Sequence, residues 1–197
     1  MHKILRALAG YSVLWLFSFS ANAGTVVLDF ESFNAGTPTS DTLIEDGFFI
    51  DDTLSPAGAA IVSDGSPVGQ SLAFCGWCAA TEGVSIYALS GVTFELDSFY
   101  TYATYGPYAY AGQVTGYLEG GGTVTHLFDS TAGTVVFDQS WVNLTSIDIV
   151  FTTGRIDSDF TIPALDNITL QAVPVPAAVW LFGSALAGLG WLRRRQG

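Results

Sequence analysis

Val114-Thr115-Gly116-Tyr117-Leu118, Glu119-Gly120-Gly121-Gly122 and Thr123-Val124-Thr125-His126-Leu127-Phe128 decide the fold. β-Branched and aromatic residues alternate with polar or small ones on both sides of a glycine-rich connection. That is the pattern of a β-hairpin. The glycines supply the positive φ values that a tight reversal needs. The same period of two recurs on either side. Val92-Thr93-Phe94-Glu95-Leu96-Asp97-Ser98-Phe99 alternates cleanly, as does Leu144-Thr145-Ser146-Ile147-Asp148-Ile149-Val150-Phe151. Thr25-Val26-Val27-Leu28-Asp29-Phe30-Glu31 opens the series, Val135-Val136-Phe137 is a shorter run, and Ile168-Thr169-Leu170 closes it. No window between the termini carries a helical period of 3.6. Many short strands separated by Gly, Ser, Thr and Asp predict an all-β chain, an antiparallel β-sandwich of jelly-roll-like form.

Both termini stand apart from that domain. Residues 1–23 have a basic start (Lys3, Arg6), an apolar stretch and Ala21-Asn22-Ala23, small residues where signal peptidase cuts. They read as a signal peptide. At the other end, residues 177–192 are uncharged and stop at Arg193-Arg194-Arg195. Those 16 residues make a helix of about 24 Å, a marginal span for a bilayer core of roughly 30 Å. Snorkelling arginines make up part of the difference and hold that end in the cytoplasm. Pro174 and Pro176 mark the helix boundary.

This tail, Val173-Pro174-Val175-Pro176-Ala177-Ala178-Val179-Trp180-Leu181-Phe182-Gly183-Ser184, resembles the PEP-CTERM sorting signal in its Val-Pro-x-Pro-Ala-Ala-x-Trp-Leu-Phe-Gly-Ser variant. The glutamate that gives the family its name is Val175 here. The resemblance implies a Gram-negative, exported protein processed near the prolines by an exosortase-type membrane protease. It also implies association with extracellular polysaccharide or biofilm. The expected path runs from an inner-membrane-anchored precursor with a periplasmic ectodomain to the cell surface or medium. The membrane would then be only a transient partner of the C-terminal helix. A plain tail anchor is the simpler alternative. The organisation is therefore residues 1–23 signal peptide, 24–172 ectodomain and 173–197 sorting signal.

All 18 acidic residues fall within 24–172, against one base, Arg155, for a net charge of −17. Such a surface repels nucleic acid and anionic membranes. It suits divalent cations or neutral sugars, or serves solubility alone. Cys75-Gly76-Trp77-Cys78 is a C-x-x-C motif, compatible with redox catalysis, half a zinc site or a small-loop disulfide. The flanks show no amphipathic helix to stabilise a thiolate, and no second ligand pair completes a zinc site. Export to an oxidising compartment favours a disulfide between Cys75 and Cys78.

A second resemblance rests on Asp29-Phe30-Glu31, Gly91-Val92-Thr93-Phe94-Glu95-Leu96, Trp141-Val142-Asn143-Leu144 and Leu165-Asp166-Asn167-Ile168-Thr169-Leu170. In this order they look like the jelly-roll sandwiches of galactose-binding-like and carbohydrate-binding modules. The resemblance implies neighbouring first and last strands with a structural calcium beside them, for which Glu31 and Asp166 match the pattern best; Asp29, two residues from Glu31, should face the same side and join them. The alternative is that Asp166-Asn167 is turn chemistry before the last strand.

Tyr100, Tyr102, Tyr105, Tyr108 and Tyr110 crowd into one short stretch. Aromatic faces stack on sugar rings, which gives a ligand or self-contact surface a physical basis. Strand and loop packing is the competing account. No G-x-S-x-G, H-E-x-x-H or P-loop is present, and His126 is the only histidine within 24–172. Its place in the hairpin suits a half-exposed strand histidine. Two functions remain: a non-catalytic surface or matrix protein that binds sugar or itself, and a secreted glycosidase-like hydrolase on the same scaffold.

Overall fold

The computed structural model describes residues 24–38, 43–52, 54–55, 59–63, 69–74, 81–105, 110–129, 133–153 and 161–172. The signal peptide, the Cys75–Cys78 motif, Tyr108 and the whole sorting signal lie outside them. Gly24–Val173 packs as one unit.

Every described element is a strand. Six form one layer, in the spatial order β2 (Leu43–Glu45), β3 (Phe48–Asp51), β6 (Thr81–Ala88), β11 (Leu144–Thr153), β8 (Tyr110–Leu118) and β9 (Thr123–Asp129). The other layer runs β4 (Ala59–Val62), β5 (Ser71–Phe74), β12 (Ile162–Ala172), β7 (Phe94–Tyr105) and β10 (Gly133–Val136), with β1 (Thr25–Leu28) also along β12. All these pairings are antiparallel, and a single bridge, Leu144 opposite Phe94, joins the layers into one continuous sheet. First and last strands are indeed neighbours: Thr25 stands opposite Gln171 and Leu28 opposite Ile168.

Aromatic rings stitch the layers face to face. Phe48 meets Phe94 edge-on at 5.3 Å, Phe74 meets Phe151 at 5.2 Å, and Phe99 meets Phe128 at 5.3 Å. Offset and edge-on rings at these separations are favourable beyond simple area burial. The inward residues, Phe94, Leu96 and, past a register shift, Phe99 on β7, Ile147, Ile149 and Phe151 on β11, Ile168 and Leu170 on β12, are almost fully buried. Trp141, just before β11, is buried and packs on Phe137 at 4.6 Å.

The hairpin that opened the sequence reading is β8–β9, with Tyr117 opposite Thr123. Its turn uses positive φ at Gly120, Gly121 and Gly122, and Leu118 N–H donates to the Gly122 carbonyl at 3.1 Å. Five strands, β2 to β6, precede the first alternating run and complete both layers.

Candidate functional site

The outer face of the six-stranded layer is built by strand parity. On β11 the inward residues Ile147, Ile149 and Phe151 leave Ser146, Asp148, Val150 and Thr152 pointing outward. Register then sets rows across the strands. One row reads Ile44, Phe49, Tyr87, Ser146, Tyr117, Thr123. The next reads Asp51, Ser85, Asp148, Thr115, Thr125. A third reads Gly83, Val150, Gln113, Leu127.

These rows bring an aromatic pair beside a hydrogen-bonded carboxylate. Phe49 and Tyr87 stack across β3 and β6, with ring centroids 5.2 Å apart and planes 19° from parallel. Beside them stands a carboxylate with both oxygens engaged. Ser85 Oγ donates to Asp148 Oδ1 at 2.6 Å, and Tyr117 Oη donates to Asp148 Oδ2 at 2.8 Å. Each carboxylate oxygen keeps further acceptor capacity. Donating to Asp148 holds the Tyr117 phenol pKa above its ordinary value, with the charge of Asp148 adding to the effect. Gln113 Nε2 donates to Thr115 Oγ1 at 3.1 Å. A shallow cleft of about 250 Å³ continues from here over Ala111, Gly112, Gln113, Thr115, Leu127, Val150 and Thr152. Ile44, Tyr117 and Leu127 are exposed apolar residues on the same face. A second, larger cleft opens between the edge strands β9 and β10 and is lined by His126 to Asp129 and Gly133 to Val136. His126 is half-buried there, its ring 5.2 Å from that of Phe137, as a strand histidine should be.

None of Phe49, Ser85, Tyr87, Asp148 and Tyr117 was singled out from sequence. Residues 144–151 read as an alternating strand, but the β6 run that brings Ser85 and Tyr87 beside Asp148 carries no such pattern. The tyrosines that were singled out do not share one surface. Tyr110 points into the main core, 3% exposed, with its hydroxyl 3.1 Å from Thr101 Oγ1 and its ring 5.6 Å from that of Phe151. Burial raises its phenol pKa. Tyr102 is buried with Ala73 and Ala164 on the outer side of the second layer, its hydroxyl 2.6 Å from Ser71 Oγ. Tyr100 packs half-buried against that small cluster, 5.9 Å from the Tyr102 ring. The side chain of Tyr105 lies outside the described part. A strand alternates its side chains between faces, and of the described tyrosines Tyr110 turns into the core while Tyr100 and Tyr102 turn outward from the other layer.

At the β1–β12 end Asp29, Glu31 and, from β2, Glu45 lie near enough to Asp166 for their charges to act on it. Asp166 is fully buried; its Oδ1 accepts the Asn167 N–H at 2.6 Å and its Oδ2 has no hydrogen-bond partner. Glu45 accepts from Phe30 N and Ser32 Oγ, both at 3.3 Å. Desolvation pushes the Asp166 carboxyl up to about 7, with Asp29, Glu31 and Glu45 adding repulsion. Burial likewise lifts Glu45 to about 7, helped by Asp29 and Asp46. Asp29 and Glu31 are otherwise occupied: Asp29 Oδ1 accepts Glu31 N–H at 3.1 Å, and Glu31 Oε1 accepts Gln70 N–H at 2.7 Å. Among the described residues no three Asp, Glu, His or Cys side chains converge as a ready metal-ligand set.

No family model and no curated protein sequence matches the chain. Among solved structures the chain is similar to TmCBM61 in complex with β-1,4-galactotriose, at 14% identity and a TM-score of 0.45, over 74% of this chain and 94% of that one. It is similar to a family 11 carbohydrate-binding module of the cellulosomal cellulase Lic26A-Cel5E of Clostridium thermocellum, at 13% identity and a TM-score of 0.40, over 77% and 96%. It is also similar to an exo-β-agarase, at 11% identity and a TM-score of 0.47, over 77% of this chain but only 26% of the agarase.

Proposed function

We propose that residues 24–172 form a non-catalytic glycan-binding domain of an exported surface or extracellular-matrix protein, with the glycan lying on the outer face of the β2-β3-β6-β11-β8-β9 layer. The observation that carries this reading is the Phe49–Tyr87 stack beside the Ser85–Asp148–Tyr117 hydrogen-bonded network. Sugars offer an apolar ring face and a rim of hydroxyls. A site for them pairs an aromatic ledge with fixed polar groups. The face is open and wide, so a polymer can lie on it without being threaded. Retention of the 24–172 domain on immobilised polysaccharides, with released sugars assayed in parallel, tests the reading. Retention without release is expected. Release of shortened products would favour the hydrolase instead.

Export, sorting and release complete the proposal. Residues 1–23 would be removed by signal peptidase. Val173, Pro174, Val175, Pro176, Ala177, Ala178 and Trp180 would be read by an exosortase-type protease while residues 177–192 hold the chain in the inner membrane and Arg193, Arg194 and Arg195 stop it. Mass spectrometry of the extracellular protein should find a C-terminus near residues 174–177. An intact Trp191 in the secreted form would contradict this step. Thiol labelling of that same protein, denatured without reductant, should leave Cys75 and Cys78 unmodified.

A structural calcium ion is proposed at the β1–β12 end. The Asp166 Oδ2 atom, buried without a donor, and the net acidity around it support the site. Calcium takes six to eight oxygen ligands. Asp29 and Glu31 would have to leave their backbone contacts to join Asp166. Calcium should therefore raise the melting temperature relative to chelator, by about 2.7 kcal/mol of stability at a hundredfold excess over its dissociation constant. Asp166→Ala should abolish the difference. Equal midpoints for the wild type in the two buffers would remove calcium from the account.

A further inference from the structure

We propose that this face selects uncharged polysaccharide over polyanionic polysaccharide, and that Asp148 is the residue that makes the selection. The inference rests on the glycan-binding reading and sharpens it to a substrate class.

Asp148 sits near the middle of the face, on β11, with β6 on one side and β8 on the other. It is half-buried and held in place from both sides by Ser85 and Tyr117, so it cannot swing away from a ligand laid over it. The remaining charges on the outward positions are of the same sign, Asp51 on β3 and Asp129 on β9. No Lys or Arg occurs among the described residues, and Arg155 is the only Lys or Arg anywhere in 24–172. A glycan carboxylate resting on this surface would meet a fixed negative charge at short range, with no Lys or Arg among the described residues to offset it. Neutral hydroxyls meet the opposite situation. They can donate to the free acceptor capacity of Asp148 while the apolar ring face packs beside Phe49 and Tyr87.

The test uses the 24–172 domain, which has its own hydrophobic core and whose ends are tied together by the Ala172 N–H to Gly24 carbonyl bond at 3.2 Å. Removing the tail also removes Arg193 to Arg195, which would hold any polyanion unspecifically. The probes are a neutral β-glucan, β-galactan and β-mannan, each beside its own lightly carboxymethylated derivative. Whichever neutral polymer is retained, its carboxymethylated form should be held about tenfold more weakly at low salt, the scale of one close like-charge contact near a protein surface. High salt should close the gap by screening, without loosening the neutral polymer. Asp148→Asn preserves shape and one acceptor oxygen, with one of the two hydroxyls free to turn and accept from the amide, but removes the charge, and it should narrow the neutral-to-charged ratio at low salt. Equal retention of both forms by the wild type would overturn the selection while leaving the glycan-binding face intact. A gap that survives high salt, or a ratio unchanged in Asp148→Asn, would assign the discrimination to shape and overturn the role of Asp148. Retention of none of the six polymers would count against the glycan-binding face itself and end the proposal with it.

Discussion

Gly112 and Gly116 explain how a thin edge strand can seal this sandwich. Both lie on β8 with their missing side chains directed inward. A Cβ on Gly112 would collide with the ring of Phe128, which enters from β9 across the strand. A Cβ on Gly116 would lie 2.7 Å from Leu144 Cδ2 and 3.1 Å from the Trp141 ring. The Phe128 ring uses the space to reach Phe99 and Phe151, at 5.3 and 5.5 Å. Gly112→Ala should therefore be destabilising, by about 1–3 kcal/mol as overpacking in a filled core typically is. A lowered urea midpoint with an unchanged slope is the expected readout. A midpoint equal to the wild type's would mean that Phe128 moves aside at no cost.

The strands show which sequence signals are strong. The runs with clean alternation, in β7, β8, β9 and β11, are legible because one face of each is turned to the core and the other is more exposed over the alternating stretch. β2 and β3 were missed although Asp46-Gly47 is a direct hairpin signal; both residues take positive φ, 44° and 87°, as a two-residue turn requires. Their strands have three and four residues, too few for a period to show. β5, Ser-Leu-Ala-Phe, is buried on both faces, so it has no polar alternate to reveal it. β6 hides behind Gly83, which pairs with Val150 where any Cβ would lie 2.6 Å from the Ile149 carbonyl oxygen. The candidate face fell in this blind region. Tyr87 and Phe49 acquire meaning only when register sets them side by side. Asp29, Glu31 and Asp166 flank strands whose pattern is recognisable in the sequence; Glu45 comes from one whose pattern is not.

The whole molecule carries its acidity unevenly, and its stability should follow pH accordingly. Burial raises the Glu45 and Asp166 carboxyls from 4.5 and 3.8 to about 7 in the folded state. The folded chain thus holds their protons more tightly than the unfolded chain does. The stability this gives is fully present below about pH 4 and is lost as pH rises through about 7. Asp29, Glu31 and Asp46 face the pair and strengthen the trend. In chelator, the melting temperature of the 24–172 domain should therefore fall between those limits. A midpoint that rises steadily with pH across the same window would show that the cluster is not strained. Calcium should flatten the fall, because a cation offsets the charge that neutral pH would otherwise develop.

The two layers present different outer faces, and the central claim is that only one of them holds a glycan. Tyr87 lies on the β6 side, whereas Tyr100 lies on the outside of the opposite layer. Titration calorimetry of the domain with the polysaccharide it retains most strongly distinguishes them. Tyr87→Ala should weaken binding about tenfold, the equivalent of ~1.4 kcal/mol, while Tyr100→Ala binds as the wild type does and both keep the wild-type circular dichroism spectrum. Undiminished binding by Tyr87→Ala, with the loss appearing in Tyr100→Ala instead, would contradict the account and move the site to the other side of the sandwich.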